Sequence, residues 1–372
     1  MTGFSPKDHG RVIVKIGSSL LIQQDGKVRT AWLKTLIHDI ARRRAGGQEI
    51  IVVCSGAIAL GARKLNLERG GRASLADAQA AASVGQIILS GLWTEMFAEH
   101  EVVAAQMLVT LDDLEDRRRY LNATATLGRL LLHKAIPIIN ENDSVATTEI
   151  RFGDNDRLAA RVAQAATADG VILLSDVDGL YDSNPSNNPN ARLIPYVEKI
   201  DDELIGMADG KSASGMGTGG MASKLEAAGI ANLAGIPLAI ISGLKDNPLQ
   251  QFIDTETGTI FKADRQANAR LSWLGGRLTA SGTITIDEGA ARAIAAGKSL
   301  LAAGALSCTN GFERGDVINI LDIKGEVIAR GLSEYDANEC NLIMGKQSHE
   351  LAALLGHEPR SALVHANQLI ML

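Results

Sequence analysis

The chain has 372 residues, 46% of them hydrophobic, and 37 Lys and Arg against 43 Asp and Glu give a net charge of −6. That length can bury more than one core without covalent staples, and three scattered cysteines, Cys54, Cys308 and Cys340, form no C-x-x-C pair that would suggest a disulfide framework or a zinc knuckle. Residues 277–372 hold 8 Lys and Arg against 11 Asp and Glu, leaving 29 against 32 for the rest, so neither part has the basic excess of a nucleic-acid binder.

The opening residues MTGFSPKDHG form no charged-then-apolar leader, and no apolar run approaches the roughly 20 residues of a membrane-spanning helix. The expected location is the cytoplasm, with no membrane partner. From residue 11 to about 262, short Val- and Ile-rich runs alternate with helical patterns, the signature of a mainly parallel sheet with helices on its faces. Strands are expected at 11–17, 49–55, 102–108, 135–140, 170–175 and 236–241, and helices near 30–45, 57–65, 74–99, 117–134, 155–167 and 221–234. The fold class is thus α/β, a three-layer sandwich around that sheet. The segment RLSWLGGRLTASG breaks the rhythm and reads as a connection. After it, GTITID, a short helix EGAARAIAAG, and alternation around the turn DIKGE predict a small, mostly β domain. The expected organisation is one domain over 1–270, a linker over 271–282 and a second domain over 283–372.

Several strand ends carry chemistry. The first ends in KIGSS, where Lys15 is costly to bury unless its charge meets an anion; a lysine snorkelling out of the strand end is the plainer explanation. The second ends in CSGA, where the amides at a helix start suit an anion and Gly56 leaves room for it, although Ser55 could simply cap the helix. The polar stretch NENDSVATTEIRFGDND, holding Asn140, Asp143, Asn155 and Asp156, follows the fourth strand, where open α/β sheets bind ligands; the alternative is a hydrated loop. Ser175 and Asp176 end the fifth strand and could seat a base or ribose, while a plain turn explains Asp178 and Gly179 equally well.

The stretch GMGTGGMASK comes last. Its four glycines let backbone amides crowd around an oxyanion at a helix start, with Lys224 on the first turn. It is not a P-loop, because Lys224 precedes Leu225 instead of Ser or Thr. The seven histidines show no ligand spacing, so no metal-binding set of protein residues is expected.

Taken in order, K-x-G-S-S, S-G-A, N-E-N-D, G-D-N-D, S-D-x-D-G-L-Y and G-T-G-G-M-x-x-K closely resemble the amino acid kinase family over about residues 11–262, and the tail resembles a PUA domain. The resemblance implies transfer of the γ-phosphoryl group of ATP to the side-chain carboxylate of L-glutamate, the first step of proline biosynthesis. It implies that Lys15 and Lys224 flank the transferred group, that Asp156 orients both lysines, and that amides around Gly17 and Gly56 hold phosphoryl oxygens. Ser55, Gly56, Asp143 and Asn155 are carried over as the glutamate site, with Asn140 as a helper. ATP falls against Lys15, Ser175, Asp176, Thr218, Gly219, Gly220, Met221, Ala222, Ser223 and Lys224, with Mg²⁺ bridging its phosphates. A carboxylate acceptor, with a pKa near about 4.3, needs no general base, in keeping with the absent histidine constellation. The resemblance also implies inhibition by proline and a homo-oligomer, and a labile acyl phosphate calls for hand-off to a glutamyl phosphate reductase. Another small-molecule kinase of the same fold, acting on N-acetylglutamate, aspartate, carbamate or a nucleoside monophosphate, is the near alternative. An RNA-binding tail is the distant one, opposed by its acidic balance and by aromatics of only 3%.

Overall fold

The computed structural model describes residues 4, 8–23, 26–145, 154–183, 185, 188–201, 204, 220–263, 280–309 and 311–372. Contacts divide the chain into two compact units, residues 1–114 with 123–265, and residues 115–122 with 266–372.

The elements of the larger unit run β1 (Arg11–Ile16), α1 (Thr30–Ala45), β2 (Glu49–Cys54), α2 (Ala57–Lys64), α3 (Leu75–Ala98), β3 (Ala104–Val109), α4 (Arg117–Leu132, of which residues 117–122 are counted with the smaller unit), β4 (Ile136–Glu141), α5 (Asp154–Ala165), β5 (Gly170–Ser175), β6 (Tyr196–Val197), α6 (Met221–Leu233), β7 (Leu238–Ser242), α7 (Pro248–Thr255) and β8 (Thr259–Phe261). The strands form one sheet in the order β3-β4-β2-β1-β5-β7-β8-β6, parallel throughout except where β8 runs antiparallel to β7. The sheet is therefore mainly parallel, as its nearly continuous apolar strands require when both faces are covered.

Alternation along β1 separates those faces. Val12, Val14 and Ile16 join a core with Leu33, Leu36 and Trp93 from α1 and α3. Ile13 and Lys15 consequently point to the opposite face, where α5 packs on β1 and against α6. One strand thus supplies core to one layer and a lysine to the other.

Two features set how the helices approach. A Cβ on Gly61 would run into the Ala81 carbonyl, and one on Gly85 would run into the Ala57 carbonyl, so α2 and α3 cross backbone to backbone at these two positions. Asp39 of α1 accepts hydrogen bonds from the N–H groups of Leu249 and Gln250, both at 3.1 Å, at the start of α7. Strand β3 begins two residues later than its apolar pattern suggests. The Val102 N–H instead closes the end of α3 on the Phe97 carbonyl at 3.1 Å, which removes it from the ladder.

The smaller unit contains β9 (Gly282–Ile286), α8 (Glu288–Ala295), β10 (Ala305–Cys308), β11 (Val317–Leu321), β12 (Val327–Leu332), α9 (Ala337–Ile343), α10 (Leu351–Leu355) and β13 (Leu369–Met371). Its sheet runs β10-β9-β11-β12-β13 over a core of its own. The β11–β12 hairpin turns where DIKGE predicts it: Asp322 Oδ1 accepts from the Lys324 and Glu326 N–H groups, both at 2.9 Å, and Gly325 takes φ +83°. Among the described residues, no helix is long and apolar enough to cross a membrane.

Candidate active site

The site lies at the carboxyl ends of four neighbouring parallel strands, β4, β2, β1 and β5, the edge where such sheets hold ligands. Two clusters meet there, joined by the adjacent residues Asn155 and Asp156 in the first turn of α5.

The first cluster is ionic. Lys15 Nζ lies 2.5 Å from Asp156 Oδ1, and Lys224 Nζ lies 3.2 Å from Asp156 Oδ2, with all three side chains buried. Lys15 therefore does not snorkel to solvent. Ser223 Oγ sits 3.1 Å from Asp156 Oδ2 and 3.0 Å from the Gly220 carbonyl. Burial pushes the Lys15 ammonium below its ordinary value of 10.5, opposed by the Asp156 charge and reinforced by that of Lys224. Burial also disfavours the Asp156 carboxylate, but Lys15 and Lys224 outweigh it and hold its pKa below the ordinary value. Two ammonium groups thus share one buried carboxylate, with the Asp176 charge also acting on Lys15, an arrangement of cations suited to receiving an anion.

The second cluster is built of amides. Asn155 Nδ2 donates to Ser55 Oγ at 2.7 Å, to the Cys54 carbonyl at 3.0 Å and to Asn140 Oδ1 at 3.1 Å. Asn140 in turn donates from Nδ2 to Gln86 Oε1 at 2.8 Å. Ser55 makes no cap; the residue at that position is Gly56, in the left-handed conformation at φ +115° with no side-chain cap. A Cβ there would also press on Ile22 Cδ1 at 3.1 Å and Leu21 Cδ2 at 3.3 Å, so glycine answers both the backbone and the space. Cys54 is inert, its thiol pushed up to about 12 by burial.

The other expected residues surround these clusters. Gly17 precedes a short helical turn at Ser18–Leu21, and a Cβ on it would lie 3.8 Å from Lys15 Nζ. Ser175 closes β5 with its Oγ 3.2 Å from Asp176 Oδ1, and the Asp176 charge acts on Lys15. Gly220 is the N-cap of α6, with Met221, Ala222 and Ser223 in its first turn. Asp143 is buried at the start of a short 3-10 turn after β4, and its charge acts on Arg72, whose own pKa is lowered by burial. Thr218 and Gly219 lie outside the described residues. Gln86 and Arg72 escaped the sequence reading. Gln86 interrupts the apolar run SVGQIIL on α3, a signal that could have singled it out.

The model of the amino acid kinase family matches residues 10–242, and that of the PUA domain matches residues 282–355. The chain belongs to the amino acid kinase family. It is 58% identical over 369 residues to the glutamate 5-kinase of Zymomonas mobilis subsp. mobilis, covering 99% of this chain and 93% of that protein. It is also 58% identical to the glutamate 5-kinase of Novosphingobium aromaticivorans, covering 97% of this chain and 96% of that one. To the glutamate 5-kinase of Sphingopyxis alaskensis it is 57% identical, with both chains covered in full. Both clusters fall inside the stretch matched by the amino acid kinase family, and the smaller unit contains the stretch matched by the PUA domain.

Proposed function

We propose that this amino acid kinase transfers the γ-phosphoryl group of ATP to the side-chain carboxylate of L-glutamate, giving L-glutamyl 5-phosphate and ADP in the first step of proline biosynthesis. The observation that carries the reading is the buried two-lysine cluster on Asp156 beside an amide cluster built on Asn155. The full-length likeness to proteins named glutamate 5-kinase supports the choice of acid.

In this reading a carboxylate oxygen of glutamate attacks the γ-phosphorus as the bond to the ADP oxygen breaks. No proton has to be removed, because the acceptor is already ionised. Catalysis is then positioning and charge neutralisation. Lys15 and Lys224 flank the transferred group, and Asp156 keeps their ammonium groups aimed. Amides at Gly17 and Gly56 receive phosphoryl oxygens. Ser55, Asn155 and Asp143 hold glutamate, with Asp143 as the carboxylate partner of its free ammonium.

Mg²⁺, when bound, neutralises charge across the ATP phosphates. Among the described residues, no three His, Cys, Asp or Glu converge as a metal cage, and Asp156 is engaged by two lysines. That donor set fits a metal carried largely by phosphate oxygens. Ser175, Asp176 and the stretch from Thr218 to Lys224 are assigned to ATP.

The same reading takes in a cytoplasmic homo-oligomer inhibited by proline, with hand-off to a glutamyl phosphate reductase, and domains bounded at 1–270 and 283–372 with a linker over 271–282. Incubation with MgATP, glutamate and hydroxylamine tests the central step, since an acyl phosphate is trapped as a hydroxamate. Absence of hydroxamate with glutamate, when another acid yields it, would overturn the substrate assignment.

A further inference from the structure

Gln86 lies on α3 immediately after Gly85, the residue at which α3 meets the start of α2. Its Oε1 accepts from Asn140 Nδ2 at 2.8 Å, and its Nε2 reaches Ser90 Oγ at 3.4 Å. With Nδ2 so engaged, Asn140 turns its Oδ1 to the Glu141 N–H at 2.9 Å and to Asn155 Nδ2 at 3.1 Å. Rotating the Asn140 amide by half a turn would set NH₂ against both of those donors and oxygen against oxygen at Gln86.

The direction set at Asn140 passes to Asn155 together with that imposed by the Cys54 carbonyl, which likewise can only accept. The Asn155 NH₂ group is spent on Asn140, Ser55 and Cys54, so its oxygen faces the other way. That Oδ1 is buried and meets no hydrogen-bond donor among the described residues. A buried acceptor without a donor costs stability until a ligand supplies one. An ammonium group supplies it best, because the resulting hydrogen bond is charge-assisted.

We propose that Gln86 is a positioning residue for the amino-acid substrate: acting through Asn140, it holds the Asn155 amide with its oxygen toward the ligand's ammonium. The inference rests on the glutamate reading above and adds a residue on a different helix to it. Gln86 lies outside the ionic cluster, so its effect belongs to amino-acid binding and not to phosphoryl transfer.

Gln86→Met matches the side chain in length and removes the acceptor, whereas Gln86→Glu keeps an acceptor oxygen in place. In steady-state hydroxamate assays Q86M is expected to raise the KM for glutamate roughly five- to tenfold, as befits loss of one network hydrogen bond. Its kcat and its KM for ATP stay near those of the wild type, its melting midpoint falls by a few degrees because the buried Asn140 Nδ2 loses its acceptor, and Q86E restores most of the glutamate affinity. An unchanged glutamate KM in Q86M overturns the inference, as does an equal rise in the KM for ATP or a Q86E variant as impaired as Q86M. A wild-type protein that forms no hydroxamate with glutamate removes the substrate reading and this inference together. A wild type active on glutamate and matched by Q86M removes this inference alone.

Discussion

Asp156→Asn is the sharpest test of the ionic cluster, since it removes one charge and almost no volume. With an effective dielectric constant of about 20, Coulomb's law gives a gross attraction of roughly 7 kcal/mol for the Lys15 contact at 2.5 Å and roughly 5 kcal/mol for the Lys224 contact at 3.2 Å. Desolvation offsets much of this, and removing one member of a buried ion pair costs about 3–5 kcal/mol in practice. Taking the lower figure, the melting midpoint of the larger unit is expected to fall by roughly 6–12 °C at neutral pH. The deficit should also depend on pH. Without Asp156, burial and Lys224 act on Lys15 against Asp176 alone, and its folded pKa drops further below 10.5. A lysine with a depressed folded pKa destabilises fully below that value, and stability returns as pH rises from it toward the ordinary value. Thermal unfolding followed by circular dichroism from neutral to mildly alkaline pH should therefore show D156N approaching the wild type as pH rises. A deficit under ~3 °C at neutral pH, or one that stays constant with pH, would refute the argument that Asp156 compensates two buried cations.

Two further outcomes are expected. Lys224→Ala should lower kcat by roughly 10²- to 10³-fold, the usual scale for losing one electrostatic contact to transition-state charge, and leave the KM for glutamate nearly unchanged in hydroxamate assays; an effect confined to KM would contradict the role given to Lys224. Gly85→Ala would drive a methyl group into the Ala57 carbonyl and should cost roughly 3 kcal/mol in urea unfolding, whereas Gly91→Ala on the same helix meets open space and should be neutral or stabilising by up to about 1 kcal/mol.

The buried strands were legible because parallel sheets covered on both faces spell unbroken apolar runs: RVIVKI, EIIVVC and GVILLS became β1, β2 and β5. Strands β6 and β8 were not, because two or three residues cannot display a period, and the start of β3 was displaced by a helix-closing hydrogen bond on Val102. At the site, Lys15, Asp156 and Lys224 could be named from the order of their motifs. The choice between a snorkelling and a buried Lys15 needed the opposite faces of β1 to be assigned to α1 and to α5. Ser55 looked like a helix cap because its hydroxyl stands beside a helix start, yet that position belongs to Gly56, and the hydroxyl accepts from Asn155 instead. Gln86 stayed hidden because a single glutamine in an apolar helix reads as surface until Asn140, more than fifty positions later in the sequence, is seen to reach it.

Within the ionic cluster Asp156 is shared between Lys15 of β1 and Lys224, one turn into α6, so a single carboxylate ties the helix to the strand. If ATP binds as proposed above, its affinity is thereby linked to the folding of a single helical turn. Whatever frays that turn takes one of the two cations away from Asp156, and any polyanion seated there stitches α6 to β1 by an amount that grows as RT ln(1 + [L]/Kd).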